Sequence, residues 1–422
     1  MSSFYHIQEH TVPGAHIREY ARAASRSQND ELLLHVKQYT PKDNPDPQHG
    51  DLTFIGAHAN GFPKELYEPL WDELYKETKR QGLRIRSIWM ADVAWQGQSG
   101  LLNADKLGND PSWFDAARDV YHMINTFRMP RPLVAVGHSF GGNTLINVSL
   151  IHPRLFTSII LLDPVITQYA SNPGALSESP ATMSTYRRDV WDSREAAAAS
   201  FKKSPFYQAW DERVLEKWIK YGLKDIEGSE KVTLTTTKHQ EVFTFLRPSW
   251  SGFDPKTKTI VNRSATPDID PSLSEKYNVY PLYRPESPAT WNRLPNVRPP
   301  VLYIFGGKSN LSPPELVQDK LDRTGTGVGG SGGVKEGRVK GITSAEHGHL
   351  IAQEAPELCA RETTSWVKGE MDRWWAEEKE FEEWASKSQE EKTTISEEYK
   401  SYVGRPSRPA KPAKVKDLRS KI

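Results

Sequence analysis

Cysteine is nearly missing from this sequence. Cys359 is the single one in 422 residues, which excludes an intrachain disulfide framework and any multi-cysteine metal cluster. Surplus charge is missing too. Lys+Arg 55 stand against Asp+Glu 54, a formal net charge of +1, so composition gives no reason to expect nucleic-acid binding. No apolar run reaches the ~18 residues that suggest a transmembrane helix; the most apolar stretch is Phe156–Ile166. The opening MSSFYHIQEH has no apolar h-region and does not read as a secretory signal. What is present is 37% hydrophobic and 26% charged residues, enough for a sizeable core. The expectation is a soluble protein of a reducing compartment, and length alone suggests two or three domains.

Strand and helix signals alternate along the body of the chain. Two strand-like runs, His16–Ala21 and Leu32–Tyr39, come first. Then follow Leu52–Ala57 (strand), Lys64–Arg80 (helix), Leu83–Asp92 (strand), Pro111–Arg128 (helix), Leu133–Val136 (strand), Asn143–Ile151 (helix) and Thr157–Leu162 (strand). Apolar strands separated by helices imply a mostly parallel sheet covered on both faces. The rhythm breaks between Pro164 and Pro300, with helical patches at Ser193–Lys203 and Glu212–Leu223 and a Thr-rich strand at Val232–Thr237. It resumes at Val301–Phe305, Pro314–Asp322 and Val339–Thr343. An insertion between strands of one continuing sheet reads as a lid on a catalytic core.

Two sequence patterns carry no site. Gly325–Gly330 matches GxGxxG but follows a helix and opens none, so it reads as a flexible loop. Gly329–Gly333 matches GxSxG inside the same glycine-rich run. The other GxSxG, Gly137-His138-Ser139-Phe140-Gly141, sits between a strand and a helix. Such a turn holds a serine in strained geometry with its hydroxyl exposed, and glycines let neighbouring backbone approach. Ser139 also stands at a helix start, where free N–H groups favour developing negative charge.

With this elbow the chain resembles the α/β-hydrolase family, over most of residues 15–370. His58-Ala59-Asn60-Gly61-Phe62-Pro63 is similar to the family's HG-x-P oxyanion loop, although Asn60 stands where that pattern has His. Asp92-Val93-Ala94-Trp95-Gln96-Gly97-Gln98-Ser99 is similar to its D-x(4)-G-x-S stretch. His349 with Glu354 and Pro356 matches its closing H-x(4)-E-x-P. The resemblance implies an α/β-hydrolase fold with an inserted lid and a triad in the order Ser, acid, His.

A serine hydroxyl needs a base within reach and a carboxylate to orient that base. Ser139 is the expected nucleophile and His349 the expected base, with His347 as its rival or a pocket residue. The loop Gly306–Ser312 carries Ser309 where many relatives carry the acid. Some branches of the family place it one strand beyond the elbow, which here is Asp163; Glu315 and Asp319 are weaker substitutes. The backbone N–H of Phe140 and one from the Ala59–Asn60 loop are the expected oxyanion donors. Gly137, Gly141, His138 and His58 are elbow and pocket candidates. No metal or organic cofactor is required, and a serine at the elbow argues against branches that use a carboxylate nucleophile.

The insertion is rich in aromatics: Tyr186, Trp191, Phe201, Phe206, Tyr207, Trp210, Trp218, Tyr221, Phe243, Phe245 and Trp250. They are expected to divide between lid core and an apolar acyl pocket. Arg187 and Arg188 read as a solvated surface pair. Glu370–Lys400 has 11 acidic and 5 basic residues, and Ser401–Ile422 has 7 basic and 1 acidic. The first reads as a helix laid on the body through Trp374, Trp375, Phe381 and Trp384, and the second as an extended tether. The end, Ser420-Lys421-Ile422, is similar to the Ser-Lys-Leu address that a peroxisomal import receptor reads. The expected organisation is core 1–164, lid 165–299, core 300–370, acidic helix 371–400 and basic tail 401–422. HANGFPKELYEPLW, GHSFGGN and HPRLFTSIILLDPV bring the resemblance closer to fungal peroxisomal α/β-hydrolases, the group containing yeast peroxisomal lipase and hydrolase-like proteins of host-selective toxin biosynthesis. That implies a serine esterase or lipase of the peroxisomal matrix acting on a small-molecule acyl ester, within fungal lipid or toxin metabolism. The alternatives are an acyl-CoA thioesterase or acyltransferase with the same triad, or a hydrolase-like binding protein without catalysis.

Overall fold

Among the described residues, eight strands build the main sheet. They are β1 (Tyr5–Pro13), β2 (Leu33–Pro41), β3 (Leu52–Ala57), β4 (Ile85–Ala91), β5 (Leu133–His138), β6 (Ser158–Leu162), β7 (Val301–Gly306) and β8 (Val339–Ser344). The computed structural model describes residues 3–170, 179–270 and 279–405. Strand order across the sheet is β1-β2-β4-β3-β5-β6-β7-β8. β2 pairs antiparallel with β1 and β4, and every other pairing is parallel. β3, β5, β6 and β7 are buried at every position, which is why they read as apolar runs rather than alternating ones.

Helices α1 (Glu68–Arg80), α2 (Trp113–Thr126) and α3 (Phe140–Ile151) lie between the early strands. Apolar residues of α2 and α3, among them Met123, Leu145 and Val148, share one core cluster with Ile55, Ala135, Ile159 and Tyr303 of the sheet. The register places Ala57 beside Gly137, His138 beside Leu162, and Gly306 beside Ser344. The carboxyl ends of β3, β5, β6, β7 and β8 therefore open on one edge, where open α/β sheets hold ligands.

Between β6 and β7 the chain builds α4 (Glu212–Tyr221), α5 (Lys238–Phe245), α6 (Glu286–Arg293) and a small sheet of the strands Val190–Trp191, Val232–Leu234 and Leu223–Asp225. Trp191, Phe201, Tyr207, Trp210 and Trp218 are buried. Their cluster takes in Phe62 of the β3 loop, with ring centroids 5.5 Å from Trp210 and 5.9 Å from Trp218. Tyr186, Phe206 and Trp250 are exposed. Of the expected solvated pair, Arg188 is exposed, whereas Arg187 is half-buried and pairs with Glu241 at 2.9 Å. Arg188 donates to the Val190 carbonyl and lies over the Trp191 ring.

Three expectations need correction. The first strand is Tyr5–Pro13, not His16–Ala21. It is an edge strand, exposed along most of its length, so no apolar pattern marks it. The stretch after it is held by side chains: Asp119 accepts from the Ala15 N–H at 2.7 Å, and Asp115 accepts from the Glu19 N–H at 3.0 Å. The glycine-rich loop is tied down rather than loose, since Gly325, Gly327 and Ser331 donate backbone N–H groups to Leu294, Pro295 and Val297. The acidic segment is not one helix. After α7 (Pro314–Arg323) and α8 (Pro356–Ala385) come Gln389–Thr393 and Glu397–Val403. Ser388 and Glu391 form a capping box and Ser396 caps the last helix, each starting a helix anew. The chain divides into two compact units, Met1–Asp372 and Arg373–Ile422. In the second, Trp375, Phe381 and Trp384 are exposed. Ser420, Lys421 and Ile422 lie outside the described residues.

Lys320 of α7 is 1% exposed, and its ammonium donates to the Leu316 carbonyl at 3.1 Å. Burial pushes its pKa from 10.5 down to about 8, against the pull of Asp163 and Asp319. At ~1.4 kcal/mol per unit, that disfavours the native state by on the order of 3 kcal/mol at neutral pH. Because the folded value is the lower one, stability rises as pH climbs from about 8 to 10.5. Lys320→Met is expected to be more stable than wild type at pH 7 in thermal unfolding, with the gap closing as pH rises above 10. A gap independent of pH would show that the lysine is not held against its charge.

Candidate active site

Ser139 joins β5 to α3 with φ 57° and ψ −121°. A non-glycine residue with positive φ costs energy and persists only where its surroundings impose it. Here they do. A Cβ on Gly141 would lie 2.3 Å from the Ala57 carbonyl oxygen, and one on Gly137 would lie 2.7 Å from the Gly141 oxygen. The two glycines let the start of α3 press against the end of β3. Phe140 is the first residue of α3, so its N–H has no partner within the helix.

The side chains of Ser139, His349 and Asp163 form one line of hydrogen bonds. His349 Nε2 is 2.9 Å from Ser139 Oγ, and His349 Nδ1 is 2.6 Å from Asp163 Oδ2. Asp163 follows β6 and is fully buried with φ 42°. Its carboxylate also accepts from the Gly306 N–H at 3.1 Å, from the Ser309 hydroxyl at 2.6 Å and from the Ser312 hydroxyl. Burial pushes this carboxyl up, but the His349 ring and the two serine hydroxyls outweigh that and hold it below the ordinary aspartate range. Ser309 thus does not leave its loop without an acid; it donates to one that arrives from β6. Glu315 and Asp319 have no recorded bond to His349, and Asp319 accepts from the Trp291 indole. His347 is bound to the Ser344 hydroxyl at 2.7 Å instead of to Ser139.

The β3 loop corrects one expectation. The N–H of Ala59 donates to the Tyr67 hydroxyl at 2.8 Å, so it is not available to an oxyanion. The N–H of Asn60 has no recorded partner among the described residues. The side chain of Asn60 turns to the insertion: its Nδ2 donates to the Glu241 carbonyl at 3.0 Å, and its Oδ1 accepts from Gln96 Nε2 at 2.6 Å. Gln96 also donates to Thr244 Oγ1 at 3.0 Å and accepts from the Gly61 N–H at 2.8 Å. The loop and α5 are thereby clasped together. His58 is buried; its Nδ1 donates to the Ala59 carbonyl at 2.8 Å, and its Nε2 accepts from the Val93 N–H at 3.0 Å. Burial lowers its pKa.

Asp92 has a structural part. It is fully buried and accepts from Lys64 Nζ at 2.6 Å, from the Lys64 N–H at 2.9 Å and from the Gln98 N–H at 2.9 Å. Burial opposes its charge, yet the Lys64 ammonium keeps its pKa low. His138 is also fully buried. Its Nε2 lies 2.9 Å from the His349 carbonyl oxygen, and its Nδ1 lies 2.8 Å from the Tyr67 hydroxyl. Burial, with the charge of His349, pushes it down to about 3. Sequence reasoning missed Tyr67, Ser312 and Gln96. Tyr67 looks like any aromatic at the head of an amphipathic helix. The spacing Ser309–Ser312, two hydroxyls three residues apart in a loop expected to hold an acid, is the one signal that could have been read.

A model of the alpha/beta hydrolase family matches residues 54–362. The type I acyl-CoA thioesterase mpaH' of Penicillium brevicompactum is 41% identical over 403 residues, which cover 89% of this chain and 90% of that one. The type I acyl-CoA thioesterase mpaH of Penicillium roqueforti is 40% identical over 407 residues, covering 90% and 92%. The abhydrolase domain-containing protein AKT2 of Alternaria alternata is more distant, 27% identical over 57% of this chain and 84% of its own. Among solved structures, the peroxisomal alpha-beta-hydrolase Lpx1 of Saccharomyces cerevisiae superposes over 95% of this chain and 96% of its own, with a TM-score of 0.66 and 16% identity. That last likeness is one of fold.

The hydroxyls on Asp163 generate a stability prediction. A carboxylate whose folded pKa is depressed adds stability that is full above its unfolded pKa and is lost as pH falls through the folded one. Ser309→Ala removes a charge-assisted hydrogen bond and is expected to cost about 2 kcal/mol at pH 7 in denaturant unfolding. The difference from wild type should shrink as pH falls from 5 towards 2. A difference that holds constant into acid would mean that the hydroxyl does not stabilise the charge.

Proposed function

This chain belongs to the alpha/beta hydrolase family, and on that premise we propose that it hydrolyses an acyl-CoA thioester, with Ser139 as nucleophile, His349 as base and Asp163 as the carboxylate orienting it. The observation that carries the chemistry is the unbroken line Ser139 Oγ–His349 Nε2 and His349 Nδ1–Asp163 Oδ2, at 2.9 and 2.6 Å. The identity of about two fifths to acyl-CoA thioesterases, over nearly the whole chain, supports the thioester over the oxygen ester or lipid expected first. The binding-protein alternative rested on Ser309 standing where an acid is common. The bond from Ser309 to Asp163 removes that ground.

In the first half-reaction His349 Nε2 takes the Ser139 proton as Oγ attacks the thioester carbonyl carbon. The N–H groups of Phe140 and Asn60 hold the developing oxyanion. Collapse breaks the C–S bond, His349 returns the proton to sulfur, and CoA leaves as its thiol. Water then attacks the acyl-serine with His349 again as base, releasing the carboxylic acid. Asp163 holds the Nδ1 proton throughout and stabilises the imidazolium. Residues 165–299 serve as a lid over this edge of the sheet. The tail carries the enzyme to the peroxisomal matrix through Ser420-Lys421-Ile422.

The discriminating experiment sets acyl-CoA thioesters beside p-nitrophenyl esters of matched chain length. Thioester turnover should exceed ester turnover; hydrolysis of esters alone would return the reading to an esterase. Ser139→Ala and Asp163→Asn should each lower kcat by roughly 10³-fold or more in folded protein. Near wild-type turnover by Asp163→Asn would remove it from the triad. The last dozen residues fused to a fluorescent reporter should give a punctate peroxisomal signal, and a diffuse cytosolic one would sink the targeting assignment.

A further inference from the structure

The residue before the nucleophile stands between two loops of the site. His138 reaches the His349 carbonyl with Nε2 and the Tyr67 hydroxyl with Nδ1, at 2.9 and 2.8 Å. The same hydroxyl receives the Ala59 N–H at 2.8 Å. Chemistry fixes the direction of each bond. A carbonyl only accepts, so His138 Nε2 carries the ring proton. Nδ1 is then bare and accepts the Tyr67 O–H, while the phenol oxygen accepts from Ala59.

We propose that Tyr67 and His138 are positioning residues that tie the oxyanion loop to the histidine loop through one buried hydrogen-bond chain. This rests on the assignment of Ser139, His349 and the Asn60 N–H made above. Asn60 follows Ala59 directly, so a shift of that backbone moves the oxyanion donor. The carbonyl that His138 holds belongs to His349 itself, so a shift there moves the base. His138 is joined by one peptide bond to Ser139, so all three reacting positions are referred to one ring. Both side chains of the chain are buried, His138 completely and Tyr67 at 1% exposure. Burial keeps His138 neutral down to about pH 3, so Nδ1 stays an acceptor wherever the enzyme works.

The idea differs from volume filling in what it makes measurable. Tyr67→Phe removes one oxygen and keeps the ring. It is expected to lower kcat about 10-fold with KM within about 2-fold, because misplaced groups act on the transition state more than on binding. Labelling of Ser139 by a fluorophosphonate should slow in parallel. His138→Gln, which keeps a donor N–H, should retain more turnover than His138→Leu. The double variant Tyr67→Phe/His138→Leu should be no slower than His138→Leu alone, since both break one chain. Additive losses, equal losses for Gln and Leu, or a Tyr67→Phe with wild-type kcat would overturn the proposal. Thermal unfolding of each variant separates these outcomes from misfolding. Failure of the underlying assignment looks different: wild-type protein would take no label at Ser139, and the positioning role would fall with it.

Discussion

A negative charge buried without water must be answered by donors, and Asp163 sets that demand at the centre of this fold. Its carboxylate has no exposed surface, and its backbone stands at φ 42°. Bare, it would cost several kcal/mol and would take up a proton. Instead the Gly306 N–H, the Ser309 and Ser312 hydroxyls and the His349 ring converge on its two oxygens. The loops after β6, β7 and β8 are therefore held by one group. The strand register supplies the coarse alignment and the carboxylate supplies the fine one. An imidazole whose partner is so fully bound has little freedom to turn away from Ser139.

Much of this was legible in the sequence because the local signals were strong. Strands buried on both faces, such as Leu133–His138 and Ser158–Leu162, leave apolar runs that nothing else explains. Gly137 and Gly141 flank the serine because backbone atoms approach within contact distance there. Asp163 was readable through the family resemblance, since some branches place the acid one strand beyond the elbow and Ser309 stands where many others carry it. What was hidden depends on contacts distant in sequence. β1 is an exposed edge that pairs through its backbone. Tyr67 and Gln96 matter only through partners such as His138 and Thr244, 71 and 148 residues away. The break at Ser388 was visible in principle as a capping box, but the acidic composition around it concealed the stop.

The buried polar groups around the site divide into charged and neutral sets. Asp92 with Lys64 and Asp163 with His349 are compensated by an opposite charge or by many donors. His58 and His138 are kept neutral by burial, and each serves as a rigid bridge: His58 between the Ala59 carbonyl and the Val93 N–H, His138 between the His349 carbonyl and the Tyr67 hydroxyl. Histidine suits that task because a neutral ring offers one donor and one acceptor fixed in a flat frame. Three imidazoles thus lie close together, and the half-exposed one is the one in contact with the serine.

The clasp between Asn60, Gln96, Glu241 and Thr244 joins the β3 loop to a helix of the insertion. Covers of this kind are commonly regarded as interchangeable modules that set substrate range while the core does chemistry. Here the insertion and the β3 loop share one hydrogen-bond network. Transplanting the insertion onto another hydrolase, or another insertion onto this core, means carrying these four positions as a set. Evolutionary exchange at this junction is constrained in the same way, since a new insertion arrives with a new setting for the β3 loop.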